Sequence, residues 1–271
     1  MHSCLLLTEW CHERGGTLRI CAASAGAAGH SKARENIMAV SSFIINVNSE
    51  NPERLKQFYR DVVGLKPNPD MGEGALMAAQ TPFLVDGHSD VHGATKEPAR
   101  VWSNFFVDDL ASEQKRMEVT GVKFIRSAGR EEWGGAISTF IDPDGNYGQL
   151  IQFEPVKGGM YSLSLNTEDI PRLRGFYVDL LGLVPNPDMG AVMAGPTPLH
   201  IQDHSDVHGP AKEAPRILMN FMVDDLAAEQ KRLEAAGVKF IRTAGNEPWG
   251  GSISTFIDPD GNYGQLIEYK V

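Results

Sequence analysis

The chain has 271 residues, a length that predicts about two domains, and 42% of its residues are hydrophobic, which is ample for buried cores. No apolar run approaches the ~18 residues of a membrane span, so the composition excludes a membrane protein. The formal net charge of −10 argues against a nucleic acid or an anionic membrane as partner, because their phosphates attract basic surfaces.

Residues 1–38 are predicted to be a flexible extension without a function of its own. They show no sustained periodicity, and the stretch 22–29 is rich in Ala, Gly and Ser. All three cysteines, Cys4, Cys11 and Cys21, lie here at spacings that do not match a tight zinc knuckle. The rest of the chain has no cysteine, so a disulfide framework is not expected and a reducing, cytoplasmic location is predicted.

An internal repeat organises everything after the extension. Residues 104–153 recur as 220–269 with 39 of 50 positions identical. A period near 116 residues is too long for a solenoid. The repeat therefore predicts two homologous domains, 39–155 and 158–271.

Each repeat predicts the element order strand, helix and three strands, twice over. The first strand, 43–48, alternates apolar and polar residues, and the following helix begins near Pro52 and ends at Gly64. Two short strands are expected at 75–79 and 82–85. The second half gives a strand at 101–107, a helix at 110–120, a strand at 122–126 and a hairpin around an Asp-Pro-Asp-Gly turn. The fold class is therefore α+β, with four βαβββ modules.

Several motifs resemble those of the vicinal-oxygen-chelate superfamily, which includes glyoxalase I, bleomycin-resistance proteins and extradiol dioxygenases. They are the helix ends FYRDVVGL (58–65) and FYVDLLGL (176–183) and the turn DPDGN (142–146 and 258–262), all in the same order in both repeats. The resemblance implies two tandem domains, each with two βαβββ modules that form a curved mixed sheet. Helices would cover the convex side, and the concave side would form a ligand cleft.

Strand alternation independently supports a cleft of mixed aromatic, apolar and amide character, which is typical of small-molecule sites. Phe43, Ile45 and Val47 form an apolar side suited to helix packing, which leaves the other side for a ligand. A tryptophan precedes a Gly-Gly pair in each repeat and would either stack on a flat ligand or fill the core beside a bend. The candidate ligand-binding residues are Asn46, Trp102, Asn104, Trp133, Gln149, Ser162, Ser164, Asn220, Trp249 and Gln265.

The resemblance also implies where a metal would bind, namely on the first, fifth and last strands of a repeat. Those positions fall at Ser42 or Ile44, Met160 or Ser162, Trp102, Leu218, Gln149 and Gln265. Neither repeat offers a carboxylate or an imidazole there, and one neutral amide lacks the charge and ligand count that a divalent ion needs. The superfamily's metal site is therefore predicted to be missing, with no cofactor.

The motif HSDVHG, at 88–93 and 204–209, offers an alternative. His88, His92, His204 and His208 would be the ligands if a divalent metal were bound after all, with His200 as an extra candidate. Without a metal, His88 or His204 would be a general base. The third interpretation is a polar loop with histidines at its rim.

Four arginines at strand ends, Arg100, Arg126, Arg216 and Arg242, are candidates for an anionic ligand or are simply solvated. No phosphate loop, nucleophile elbow or paired-carboxylate signature is present in the sequence.

The predicted function is binding of a small organic molecule without a metal. The alternative is a metal-dependent lyase, isomerase or dioxygenase. The two domains are expected to pack on each other, as a duplicated chain can mimic a symmetric dimer.

Overall fold

The computed structural model describes residues 40–72, 74–154, 156 and 158–269, so the predicted extension at 1–38 lies outside the described residues. The four βαβββ modules predicted from the sequence are confirmed. Their elements are β1 (Ser42–Asn48), α1 (Pro52–Gln57), β2 (Lys66–Pro67), β3 (Leu76–Ala78), β4 (Thr81–Asp86), β5 (Val101–Phe106), α2 (Leu110–Val119), β6 (Lys123–Arg130), β7 (Ala136–Ile141), β8 (Tyr147–Gln152), β9 (Tyr161–Thr167), α3 (Ile170–Gly175), β10 (Val184–Asn186), β11 (Ala191–Ala194), β12 (Thr197–Asp203), β13 (Ile217–Met222), α4 (Leu226–Ala235), β14 (Lys239–Asn246), β15 (Gly251–Ile257) and β16 (Tyr263–Tyr269).

The helices begin and end where local chemistry satisfies the free backbone groups. Asp109 accepts a hydrogen bond from the backbone N–H of Ser112 at the start of α2, and the other three helices have an Asn or Asp in the same position. Helix α1 continues as a π-helical segment, Phe58–Val63, and stops at Gly64. The φ of +90° at Gly64 is in the left-handed region that glycine adopts without strain.

The strands form two mixed eight-stranded sheets. Sheet A has the order β14-β15-β16-β13-β1-β4-β3-β2, and sheet B has the order β10-β11-β12-β9-β5-β8-β7-β6. Each sheet therefore takes one module from each sequence repeat. The domain boundaries 39–155 and 158–271 had implied that each sheet would be built within one repeat, and in this respect the expectation was wrong.

A short connection explains the exchange of modules between the repeats. The backbone N–H of Gly159 donates to the carbonyl of Phe106, and the N–H of Phe106 donates to Met160. The chain thus leaves β8, passes the end of β5 and returns as β9 along the free edge of β5. Consecutive elements with short connections usually become neighbours in space, and here that rule joins the second module to the third.

One hydrophobic core includes the helix-facing side chains of both sheets. Phe43, Ile45 and Val47 on β1 are buried in it, as the alternation predicted. Tyr59, from the π-helical segment, contacts Phe83 of sheet A at a ring separation of 4.6 Å and Phe105 of sheet B at 6.4 Å. The helical layer therefore lies against both sheets, and the two domains pack together.

Two buried arginines, each in an ion pair within its own repeat, connect the repeats around the internal pseudo-twofold axis. Arg100 donates to the Glu97 carboxylate at 3.0 Å and to the carbonyl of Gly209 at 2.7 Å. Arg216 donates in the same way to Glu213 at 3.0 Å and to Gly93 at 2.9 Å. A cavity of about 30 Å³ lies between the two arginines. Solvation, one of the two interpretations of these arginines, is wrong for Arg100 and Arg216, which are almost fully buried.

Candidate functional site

The face of each sheet that points away from the helices, here called its outer face, carries polar side chains in register from strand to strand. On sheet B one row contains five residues. Thr139 is the register partner of Arg126 and Gln149, and Asn104 is the partner of Gln149 and Ser162. Register partners in neighbouring strands share a face, so these side chains form a continuous band, the sheet B polar row.

Hydrogen bonds order the middle of the sheet B polar row. The Asn104 amide donates from Nδ2 to the hydroxyl of Ser162 at 3.2 Å and to that of Ser164 at 2.9 Å. The Gln149 amide donates from Nε2 to the hydroxyl of Thr139 at 3.3 Å. Both amides are thereby held in fixed orientations along the face.

An aromatic wall lies two residues further along the same strands. The rings of Trp102 and Tyr147 are 6.4 Å apart, and His200 is the register partner of Ser164, which is in turn the partner of Trp102. Burial lowers the pKa of His200, and a hydrogen bond to the backbone of Gly190 opposes that shift. His200 is therefore a neutral ring at pH 7 and suits uncharged recognition.

Three polar atoms on the outer face of sheet B are buried without a partner among the described residues. They are Nε1 of Trp102, Oδ1 of Asn104 and Oδ1 of Asn166, whose residues are 6%, 2% and 0% exposed. A flat sheet open to water would leave central outer-face residues exposed, so neighbouring side chains cover these residues, and over Trp102 they include His204 and Val207. The arrangement leaves one donor and two acceptors unsatisfied on this face.

The first histidine of the 204–209 loop lies over this face. The ring of His204 meets that of Trp102 edge-on at 5.3 Å, and Val207 is buried against the indole. The Nδ1 atom of His204 accepts a hydrogen bond from the N–H of Asp206, so the neutral ring carries its proton on Nε2. His204 therefore presents a donor rather than a free base in this arrangement.

The other histidines of the motif do not converge on one point. His88 accepts from the N–H of Asp90 in its own loop, and His208 pairs with Glu168 at 3.1 Å, while His92 is exposed. Within residues 40–72, 74–154, 156 and 158–269, no group of three or more His, Cys, Asp or Glu side chains is placed to hold a metal ion. The metal and general-base roles proposed for these residues remain predictions.

Sheet A has a corresponding row with a different composition. Thr255 is the register partner of Arg242 and Gln265, and Asn220 is the partner of Gln265 and Ile44. The hydrocarbon side chain of Ile44 thus stands where sheet B has Ser162. The predicted contacts Asn46, Asn220 and Gln265 share this face, and the amides of Asn46 and Asn220 each have a buried oxygen without a described partner.

The two tryptophans before the closing hairpins lie over their own glycines and are not core residues. Trp133 is 40% exposed and contacts Phe153 at a ring separation of 5.2 Å, and Trp249 is 44% exposed and contacts Tyr269 at 4.8 Å. A Cβ added at Gly135 would lie 1.9 Å from the Trp133 ring, so glycine is required there. The core interpretation is wrong for both tryptophans, and stacking on a ligand remains a prediction.

The outer face of sheet B includes residues that the sequence did not mark as ligand-binding. Thr139 has no distinguishing local pattern, and His200 was considered only as a metal ligand. Arg126 was already a candidate for an anionic ligand, but its place beside Thr139 results from register shifts in β6, which local sequence does not reveal.

A groove of about 300 Å³ also lies on the helix side of sheet B, near the start of α2. There the Gln152 side chain accepts a hydrogen bond from the backbone N–H of Leu110 at 3.0 Å. The described side chains that line it have no buried polar atom without a partner, in contrast to the outer face.

The four βαβββ modules, paired into two sheets, define one class of fold. Small-molecule-binding proteins and metalloenzymes share this fold. A family model described as "Glyoxalase/Bleomycin resistance protein/Dioxygenase superfamily" matches residues 42–150 and again 159–266. The chain belongs to this superfamily, and the resemblance seen in the sequence is confirmed.

Solved structures with the same fold are distant in sequence. Glyoxalase I from Zea mays is 18% identical, with a TM-score of 0.61 over 88% of this chain and 94% of that one. A putative dioxygenase from Bacillus subtilis is 14% identical, with a TM-score of 0.57 over 87% of this chain and 86% of that one. Comparison with curated proteins gives no match.

In the described part of the chain, no helix is long and apolar enough to cross a membrane.

Proposed function

We propose that this protein binds a small, flat organic molecule on the outer face of sheet B, without a metal ion. The observation that carries the proposal is the pair of buried, unpartnered atoms, Trp102 Nε1 and Asn104 Oδ1, beside an aromatic wall. A buried polar group without a partner costs on the order of 1–3 kcal/mol. A ligand that displaces the side chains over these atoms, such as His204 and Val207, and then accepts from the indole and donates to the amide oxygen recovers that free energy.

The chemistry of the remaining outer-face residues supports an organic ligand. Tyr147 and Trp102 supply flat apolar surface, and Gln149 supplies an oriented amide two residues along the strand from Tyr147. Such a combination of aromatic area with a few fixed polar groups is typical of sites for small molecules. The ligand class that fits best is a one- or two-ring aromatic compound with both a donor and an acceptor.

The donor set of the outer face does not fit the metal of the superfamily. On sheet B the positions implied for ligands hold Trp102, Ser162 and Gln149, to which His200 adds one imidazole. On sheet A they hold Ile44, Leu218 and Gln265. Divalent ions bind most firmly to several charged or imidazole donors, and neither set provides them. The proposal therefore includes no metal step, and the predicted cytoplasmic setting is retained as part of it.

The test combines native mass spectrometry of the full chain with thermal unfolding in the presence of one- and two-ring aromatic amides, phenols and acids. At a hundredfold excess over Kd, binding stabilises the folded state by about 2.7 kcal/mol, which raises Tm by several degrees. The Asn104→Leu variant should lose this shift, since leucine fills the same space without the amide. Asn220→Leu, the matched change on sheet A, should keep it.

Two results would overturn the proposal. One is equal loss of the shift in both variants, or no shift with any probe. The other is elemental analysis that finds about one tightly held Fe, Mn, Ni or Zn per sheet, with an activity that chelation removes. That second result would instead establish the metal-dependent enzyme.

A further inference from the structure

The sheet B polar row ends at a cation. Arg126 is the register partner of Thr139, and Thr139 accepts the hydrogen bond of the Gln149 amide. The guanidinium is 48% exposed at the edge strand of the sheet, so it lies at the exposed end of the row while Asn104 lies at the buried end.

Arg126 already binds a carboxylate of its own chain. Its guanidinium forms an ion pair with the carboxylate of Glu131, in the turn between β6 and β7. Trp133 follows two residues later in that turn and lies over Gly135 with its ring against Phe153. Glu131 is thus an internal carboxylate on a cation that faces the ligand surface, and a ligand carboxylate can replace it.

We infer that the ligand of sheet B carries an anionic group, most simply a carboxylate, which binds Arg126 in place of Glu131 while its aromatic part lies against Trp102 and Tyr147. This inference rests on the proposed function and adds the class of ligand to it. From the strand of Trp102 to the strand of Arg126 there are three strand spacings, about 14 Å in all. Because the arginine side chain extends inward over part of that distance, a two-ring aromatic acid has a suitable length.

The charge balance of the face agrees with this assignment. Along the outer face of sheet B the ionised side chains include the Arg126–Glu131 pair and Lys123, the register partner of Ile141, with His200 neutral, so displacement of Glu131 leaves a cationic edge that suits one anion. On sheet A the side chain of Asp86 accepts a hydrogen bond from Asn46 at 3.1 Å, and Leu218 and Leu84 replace Trp102 and His200, while Tyr263 keeps the place of Tyr147. Sheet A has the same arginine, Arg242, paired with Glu247, but has Leu218 and Tyr263 where sheet B has the two rings of Trp102 and Tyr147.

The probes are biphenyl-4-carboxylate and its neutral carboxamide, and the measurement is titration calorimetry on the full chain. The carboxylate should bind about tenfold more tightly than the amide, as expected for a hydrogen bond to a charged group at a partly exposed site. Arg126→Gln should lower the carboxylate affinity about tenfold and leave amide affinity within twofold. Arg242→Gln on sheet A should change neither.

A second variant tests the displacement of Glu131 directly. Glu131→Gln removes the internal competitor and should tighten carboxylate binding severalfold, with a smaller effect on the amide, whereas Glu247→Gln should have no effect. A purely structural ion pair would give no gain in affinity when it is broken.

The outcomes separate the two proposals. Equal affinity for carboxylate and amide, or unchanged carboxylate binding in both Arg126→Gln and Glu131→Gln, overturns the anion inference and leaves ligand binding intact. Failure of both probes and of the wider aromatic panel overturns both.

Discussion

The outer faces of sheets A and B share a frame but differ in the side chains that a ligand would touch. Both have an arginine, a threonine, a glutamine and an asparagine in register across four strands. Where sheet B has Trp102, Ser162 and His200, sheet A has the hydrocarbon side chains Leu218, Ile44 and Leu84. Duplication has preserved the scaffold while the two faces diverged in the chemistry that selects a ligand.

The difference extends to charge. Sheet A places Asp86 within hydrogen-bond distance of Asn46, whereas the corresponding strand of sheet B carries Gln202, the register partner of Asn166. At the positions that differ, sheet A therefore combines aliphatic side chains with a carboxylate, and sheet B combines aromatic rings with neutral amides and hydroxyls. Two clefts in one chain need not bind the same molecule.

The largest expected effect tests whether the scaffold that the two repeats share is symmetric in its stability. Arg100→Met and Arg216→Met each leave buried carboxylates unpaired, which should lower the free energy of unfolding by about 3–5 kcal/mol. Urea denaturation should give equal losses within about 1 kcal/mol, because each arginine binds a carboxylate of its own repeat and a backbone carbonyl of the other repeat. Arg126→Met, a half-exposed pair, should cost at most about 1 kcal/mol. Unequal losses at Arg100 and Arg216 would contradict the shared frame.

The next effect tests whether the outer face decides binding. A variant with Trp102→Leu, Ser162→Ile and His200→Leu gives sheet B the residues that sheet A carries at the same places. We expect a loss of aromatic-acid affinity of about a hundredfold, since stacking area and hydrogen bonds disappear together. The fold should survive, because sheet A accommodates the same side chains, and circular dichroism checks this. Undiminished affinity in a folded variant would move the site away from sheet B.

The smallest effect is a pH dependence common to both halves. Burial raises the pKa of Asp142 and of Asp258 to about 6, opposed by hydrogen bonds from Asn146 and Asn262 and from Tyr59 and Tyr177. An unfolded aspartate titrates near pH ~4, so the native state binds more protons between pH ~4 and ~6. Stability should therefore fall as pH rises through that range, by on the order of 2 kcal/mol for each site.

The measurement is the free energy of unfolding at pH 5 and at pH 7.5 for the parent, Asp142→Asn and Asp258→Asn. Each variant should lose about half of the parent's change, and the double variant should lose nearly all of it. Histidine titration is common to all four proteins, so it cancels in the comparison. A change that survives in the double variant would assign the pH dependence to other groups.

Much of the fold could be predicted because it depends on local patterns. The alternation of Phe43, Ile45 and Val47 fixed which side of β1 meets the helices, and Gly64 marked the end of the first helix. The same alternation placed Trp102, Asn104 and Gln149 on the opposite side, and the structure has them in register there. Their role in binding stays a prediction.

The rest depends on contacts between distant parts of the chain. The burial of Arg100 follows from its partners in the second repeat, which local sequence does not reveal. The 204–209 loop packs His204 against Trp102, a residue about 100 positions away. The position of Arg126 on the polar row follows from a shift in register, and a shift of one residue changes the face of every later side chain.

By itself the sequence determined the duplication, the βαβββ order and the two faces of each strand, because helix and strand periods are properties of neighbouring residues. Only the tertiary structure decided which modules share a sheet. Two nearly identical repeats offer equivalent edges for pairing, and the short connection past the end of β5 selects between them. That selection brings Trp102 and Asn104 of one repeat to Ser162 and His200 of the other, and so creates the candidate site.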